Sequence, residues 1–132
     1  MMLPARSFSV SIAMDARALY ELIWQPEFFP KWALGLAESD LRMEDGRWQA
    51  DGPEGPIHIR FTPHNAFGVM DHFVDTGEGP EIHVPLRVVE NGAGAEVIIT
   101  LFRQPDMDEE RFAGDIKLVN RDLRALKKLV EG

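Results

Sequence analysis

The sequence contains no cysteine. That excludes a disulfide framework, thiolate catalysis and a zinc–thiolate centre. No apolar run is long enough for a signal peptide or a membrane span. Met1 to Pro4 leads directly into a strand pattern, and the expected location is cytoplasmic. Positive charge is scarce: 14 Lys and Arg stand against 22 Asp and Glu, a formal net charge of −8. Such a chain is a poor partner for nucleic acid or an anionic membrane. Histidine pairs at metal-binding spacing are also missing. His58, His64, His72 and His83 include no two at i, i+2 or i, i+4, so local spacing prepares no metal site, and no cofactor is expected.

What is present is a globular composition, 45% hydrophobic and 27% charged over 132 residues. The length suits a single domain, 1–132, with a core of its own. Ser7 to Met14 alternates, with Phe8, Val10, Ile12 and Met14 on one side, which predicts a half-buried strand. Asp15 is placed to cap a helix over Ala16–Trp24. Pro26 suits the first turn of a second short helix and Gly35 its end.

The pattern then turns to strands and tight turns. Leu36–Glu44 runs into the hairpin signal Asp45-Gly46, and Arg47–Asp51 returns. Gly52 to Pro56 reads as a loop, Ile57–Phe61 as a strand, Pro63-His64-Asn65 as a turn and Phe67–Asp75 as a strand. Ile82–Val89 alternates, Asn91-Gly92 is a second hairpin signal, and Glu96–Arg103 is the last strand. Hairpin connections imply antiparallel pairing.

The longest periodic stretch closes the chain. Phe112, Ile116, Val119, Leu123, Leu126 and Val130 recur at steps of four and three, one stripe of a helix at about 100° per residue. Lys117, Arg121, Arg124 and Lys128 fall on the opposite, solvated side. Asp106 is placed to be the N-cap, with Glu109 three residues on. The expected architecture is α+β. A strongly curved antiparallel sheet of about six to seven strands wraps a long C-terminal helix, with two short helices after the first strand. A twisted sheet that curls round one helix need not close tightly on it, so a cavity is expected between them.

This order resembles the START-like helix-grip superfamily (SRPBCC), and two segments carry the likeness. One runs from Val10-Ser11-Ile12-Ala13-Met14-Asp15-Ala16 through Leu19–Trp24 to Pro26-Glu27-Phe28-Phe29-Pro30-Lys31-Trp32. The other is Leu101-Phe102-Arg103-Gln104-Pro105, continuing into Phe112, Asp115, Val119, Asp122-Leu123 and Leu126-Lys127. It is similar to small bacterial proteins labelled polyketide cyclase/dehydrase-like. The resemblance implies the helix-grip fold and an apolar ligand in its cavity, with catalysis in some members.

The residues leave several functions open. The first is binding of a small hydrophobic or aromatic molecule. Trp32, Trp48, Phe73, Phe102, Phe112, Ile116 and Val119 are the candidate walls, and Asn120 the polar contact. Each of the aromatics serves equally well as simple core. The second is a cyclase or dehydratase using acid–base groups drawn from Asp71, His72, His58 and Arg60. Asp71 shares strand parity with Val69 and Phe73, so it is expected on the apolar side, with a raised pKa or a partner such as Arg60 or His58. The third is a protein–protein module with a patch at Phe28, Phe29 and Trp32. The protein is expected to be a monomer or a homodimer. Parity alone leaves open whether His58, Arg60, His83 and Arg87 line the concave side or face solvent. Asp115, four residues after Arg111, is expected in a surface ion pair.

Overall fold

Alternation of apolar and small polar side chains produces the first strand, β1 (Ala5–Ile12), with Phe8, Val10 and Ile12 turned inward. The computed structural model describes residues 1–33, 41–52 and 55–132. The expected helix end at Gly35, most of the lead-in from Leu36, and the loop residues Pro53 and Glu54 lie outside the described residues. After β1 the Asp15 carboxylate accepts a hydrogen bond from the Ala18 N–H at 3.0 Å and starts helix α1 (Ala16–Ile23). The second short helix is a 3-10 turn, Pro26–Lys31. Pro30, inside this segment, lacks the N–H that an α-helix would bond to the Pro26 carbonyl.

Strands β2 (Arg42–Glu44), β3 (Arg47–Gly52), β4 (Gly55–Phe61), β5 (His72–Asp75) and β6 (Ile82–Val84) form one antiparallel sheet in that order. A second sheet has β1 and β7 (Leu86–Asn91) on either side of β8 (Gly94–Phe102). The expected continuous strand Ile82–Val89 is thus broken at Pro85. Pro85 turns its carbonyl toward β8 and has no N–H to donate there; past it, β7 pairs with β8 on one side while Leu86 and Val88 go on bonding Met70 and Gly68 on the other. The Pro85 carbonyl still accepts from Thr100 N–H at 3.0 Å. Parity survives the break. Val84, Leu86 and Val88 are all buried, so the aliphatic set faces the core. His58, Arg60, His83 and Arg87 take the other side.

The strand expected over Phe67–Asp75 forms only from His72. Before it, the Asn65 side chain accepts from the N–H groups of Phe67 and Val69 and donates to the carbonyls of Pro63 and Val69. These bonds close a loop on one side, while on the other Met70 N–H bonds the Leu86 carbonyl and Val88 N–H the Gly68 carbonyl, so part of the expected pairing is kept with β7. Tyr20 Oη accepts from the Asn65 N–H and ties that loop to α1. Gly68, at φ +71°, lies so close to β7 that a Cβ would sit 2.2 Å from the Val88 carbonyl oxygen.

The C-terminal helix α2 spans Glu109–Glu131. Its N-cap is Asp108 rather than Asp106. The Asp108 carboxylate accepts from Arg111 N–H at 2.7 Å, after a turn in which Met107 N–H bonds the Gln104 carbonyl. Lys117, Arg121, Arg124 and Lys128 face solvent as the periodicity requires. Leu123 and Leu126 are fully buried, worth about 1.5–3 kcal/mol each. The helix's far end is pinned to β1, where Lys127 donates to the Ser11 carbonyl and Glu131 accepts from the Ala13 N–H. Its first half is not packed so closely. Phe112, Ile116 and Val119 remain half-buried. Among the described residues no helix is long and apolar enough to cross a membrane.

Candidate functional site

The loosely packed half of α2 covers a partly open pocket of about 190 Å³. The pocket lies where the two sheets part beyond Pro85. β6 contributes Ile82, His83 and Val84 on one side. Ile99, Leu101 and Phe102 of β8, followed by Gln104 and Met107, form the other. Its floor is Phe29, Trp32 and Ala33 beside His72 and Val74 of β5. The helix supplies Arg111, Phe112, Asp115, Leu118, Val119 and Asp122.

The floor is an aromatic cluster. The Phe29 ring meets Trp32 and Phe61 edge-on at 5.5 Å and His72 at 5.0 Å. This accounts for the burial of Phe29 and Trp32, and it removes the surface patch expected at Phe28, Phe29 and Trp32. Two polar atoms are enclosed here with no hydrogen-bond partner among the described residues, Trp32 Nε1 and His72 Nδ1. Their residues are only 1% and 4% exposed. Burial pushes the His72 imidazole down to about pKa 4. Asp71 opposes that shift, His83 adds to it, and the Met70 carbonyl opposes it weakly. His72 is therefore a neutral ring at pH 7.

Two carboxylates join this floor from above. Burial raises the Asp115 carboxyl, and the Arg111 charge only partly offsets the rise. The surface ion pair expected for Asp115 is instead a half-buried group facing the pocket. Asp122, on the same helix face, is buried, with Arg121 Nη2 at 3.5 Å.

Asp71 plays a different part from the one expected of it. It is buried at the seam between the sheets, outside the pocket lining. Its carboxylate accepts from Arg87 Nε and Nη2, both at 2.9 Å, and from the Leu86 N–H at 3.0 Å. His83 Nε2 lies 2.8 Å away. Burial alone would raise this carboxyl. The hydrogen bonds of Arg87, His83 and Leu86 outweigh burial and hold it well below the usual carboxylate range. Asp71 thus latches β6 and β7 across the Pro85 break and stays ionised, and a raised-pKa acid at this position is ruled out.

The other expected residues divide in two. Trp32, Phe102, Phe112, Val119 and His72 line the pocket. Ile116 and Asn120 do not, because the helix presents the 112–115–119–122 face rather than the adjacent edge. Phe73 is turned to the outer side, opposite in parity to His72 and Val74. There its ring stacks on His83 at 4.6 Å, and the Arg60 guanidinium lies 4.0 Å above it. Trp48, His58 and Arg60 line a separate groove of about 350 Å³. The charged groups of that groove are exposed and paired, Arg60 with Glu81 and Arg47 with Asp75. Of Asp71, His72, His58 and Arg60, His72 alone reaches the pocket, so no acid–base pair from that set assembles there. Sequence reasoning missed Leu118, Asp115 and Asp122 as lining. Steps of three and four taken from Phe112 pass through two of them. Among the described residues no three His, Asp or Glu side chains converge as metal ligands.

No protein-family model matches this chain, and no curated protein matches it by sequence. Its fold is shared by solved structures. An uncharacterised protein from Bacillus thuringiensis aligns over 98% of this chain and 100% of its own, with a TM-score of 0.75 and 18% identity. DynU16, a protein of the dynemicin biosynthetic locus, aligns over 96% of this chain and 47% of its own, with a TM-score of 0.69 and 14% identity. Ara h 8.0201 aligns over 97% of both chains, with a TM-score of 0.67 and 11% identity. At these identities the likeness is one of fold alone, and that fold is the helix grip: a curved antiparallel sheet closed over a long C-terminal helix.

Proposed function

We propose that the protein binds a small, largely apolar or aromatic molecule between the sheet and the first half of α2. The observation that carries this reading is the pair of unpartnered atoms, Trp32 Nε1 and His72 Nδ1, on residues that line an otherwise mainly apolar pocket. Leaving such a group unsatisfied costs roughly 1–3 kcal/mol. A ligand carrying one polar group among apolar surface would recover that cost. The volume of about 190 Å³ suits one or two rings, since apolar cavities of about 150 Å³ take benzene. The DynU16 likeness, to a protein of a biosynthetic locus, is in keeping with small-molecule handling.

The test uses 2-naphthol and the intrinsic tryptophan fluorescence, with Trp24 and Trp48 replaced by Phe so that Trp32 reports alone. Saturable quenching and a rise in melting temperature are expected. Filling the pocket with Leu118→Trp should abolish both effects. Quenching that stays linear with concentration, or that persists unchanged in the filled variant, would refute the reading.

A further inference from the structure

The polar groups that line the pocket differ in what they can offer a ligand. Gln104 already donates to the Phe102 carbonyl at 3.1 Å. Asp122 has Arg121 beside it, and His83 is turned to the Asp71 carboxylate at 2.8 Å. Arg111 is exposed and Asp115 half-buried, so water reaches both. Trp32 Nε1 and His72 Nδ1 stand apart from all of these. They are enclosed, and no described residue bonds them. A ligand group that meets them forms hydrogen bonds without first breaking bonds from these atoms to water. Discrimination by hydrogen bonding is therefore strongest at this floor.

The two atoms also differ in kind. The Trp32 indole N–H can only donate, so its partner must accept. His72 is neutral at pH 7, so Nδ1 carries either a lone pair or a proton. With the lone pair there, the two atoms match one group that accepts on one side and donates on the other. A hydroxyl does both. An ammonium has no lone pair for the indole, and a carboxylate has no proton for the imidazole. A phenol adds a ring to suit the aromatic walls of Phe29, Phe102 and Phe112.

We propose that the pocket selects a neutral phenol, its hydroxyl accepting from Trp32 Nε1–H and donating to His72 Nδ1. This rests on the binding reading above and narrows it to a hydrogen-bonding class.

Three neutral single-ring probes separate the two claims, each titrated by calorimetry at pH 7. They are 4-ethylphenol, 1-ethyl-4-fluorobenzene and 4-methylacetophenone. Fluorine nearly matches the hydroxyl in size but has no proton to donate, and the ketone only accepts. A pocket offering apolar contact alone would favour the fluoro compound, because the hydroxyl must shed water to enter. With both hydrogen bonds made, the order inverts, and the phenol is expected to bind about tenfold more tightly than the fluoro compound. In His72→Phe most of that preference should disappear while the fluoro compound binds as before. The wild-type ranking needs no variant, so it stands even if that substitution impairs folding. Equal affinities, or a preference for the fluoro compound, would overturn the hydroxyl assignment while leaving pocket binding intact. So would a phenol preference that survives unchanged in His72→Phe. Tightest binding of the ketone would mean that Nδ1 carries the proton, and would overturn the hydroxyl assignment in the same way. Failure of all three probes to bind would overturn both claims.

Discussion

Replacing His72 by Phe separates two costs that the protein carries at the floor of its pocket. The first is independent of pH. His72 Nδ1 is enclosed without a partner, and removing such an atom should return roughly 1–3 kcal/mol if the new ring fits. Phe has nearly the shape of the imidazole it replaces, and the neighbours are the rings of Phe29 and Phe61. The second cost depends on pH. The folded protein keeps His72 neutral down to about pH 4, whereas in the unfolded chain a histidine titrates near 6.5. Between these values the unfolded chain binds a proton that the folded chain does not. Stability therefore rises with pH across the interval and is lost as pH falls through it. At about 1.36 kcal/mol per pH unit, the interval from 6.5 to about 4 is worth roughly 3 kcal/mol. Urea unfolding of wild type and His72→Phe at pH 7.5, 6, 5 and 4 reads both costs. The variant should be as stable as wild type or more so at pH 7.5, and its advantage should grow by roughly 3 kcal/mol on the way to pH 4. Asp71 and Asp115 also titrate in acid, but both proteins contain them, so they largely cancel in the difference. A constant difference between the two proteins from pH 7.5 to 4 would refute the buried neutral imidazole.

Three further substitutions examine other parts of the argument. Asp71→Ala leaves the buried Leu86 N–H without its acceptor, while the half-exposed Arg87 guanidinium returns to solvent, so chemical denaturation should show a loss of about 1–3 kcal/mol. A loss under 1 kcal/mol would mean the latch is not holding the Pro85 break. Gly68→Ala forces a Cβ to within 2.2 Å of the Val88 carbonyl oxygen at a positive φ, and its melting temperature should drop by more than about 8 °C. Phe112→Ala removes a half-buried ring that lines the pocket. It should cost about 1–2 kcal/mol in the same denaturation assay, below the ~3–5 kcal/mol of a Phe in a filled core. A loss in the full range would argue that only protein lies beneath the helix.

Periodicity and punctuation determined most of the architecture. Helical spacing from Phe112 to Val130 and strand alternation in Phe8–Ile12 and Ile82–Val88 are local properties of the backbone, so they read directly from the chain. The cap at Asp15 and the Asp45-Gly46 turn, where both residues have positive φ, are local in the same sense. Features that depend on distant neighbours were not legible. Parity placed Asp71 with Val69 and Phe73 on the expected apolar side, but where its carboxylate would go was not legible. Arg87 and His83, 16 and 12 residues away, decided it by drawing the carboxylate into the seam. The helix stripe admitted Ile116 and Asn120 as readily as Asp115 and Asp122. Only the angle at which α2 docks, set by Leu123, Leu126 and the Lys127 anchor on β1, chose the face that meets the pocket. Pro85 was visible as a residue without an N–H, yet its consequence was not. The sheets part there because β8 pairs with β7 but not with β6, and pairing between strands is a property of the whole fold. The pocket owes its position to that parting, and its unpartnered Trp32 and His72 atoms exist only because three separate segments close over them.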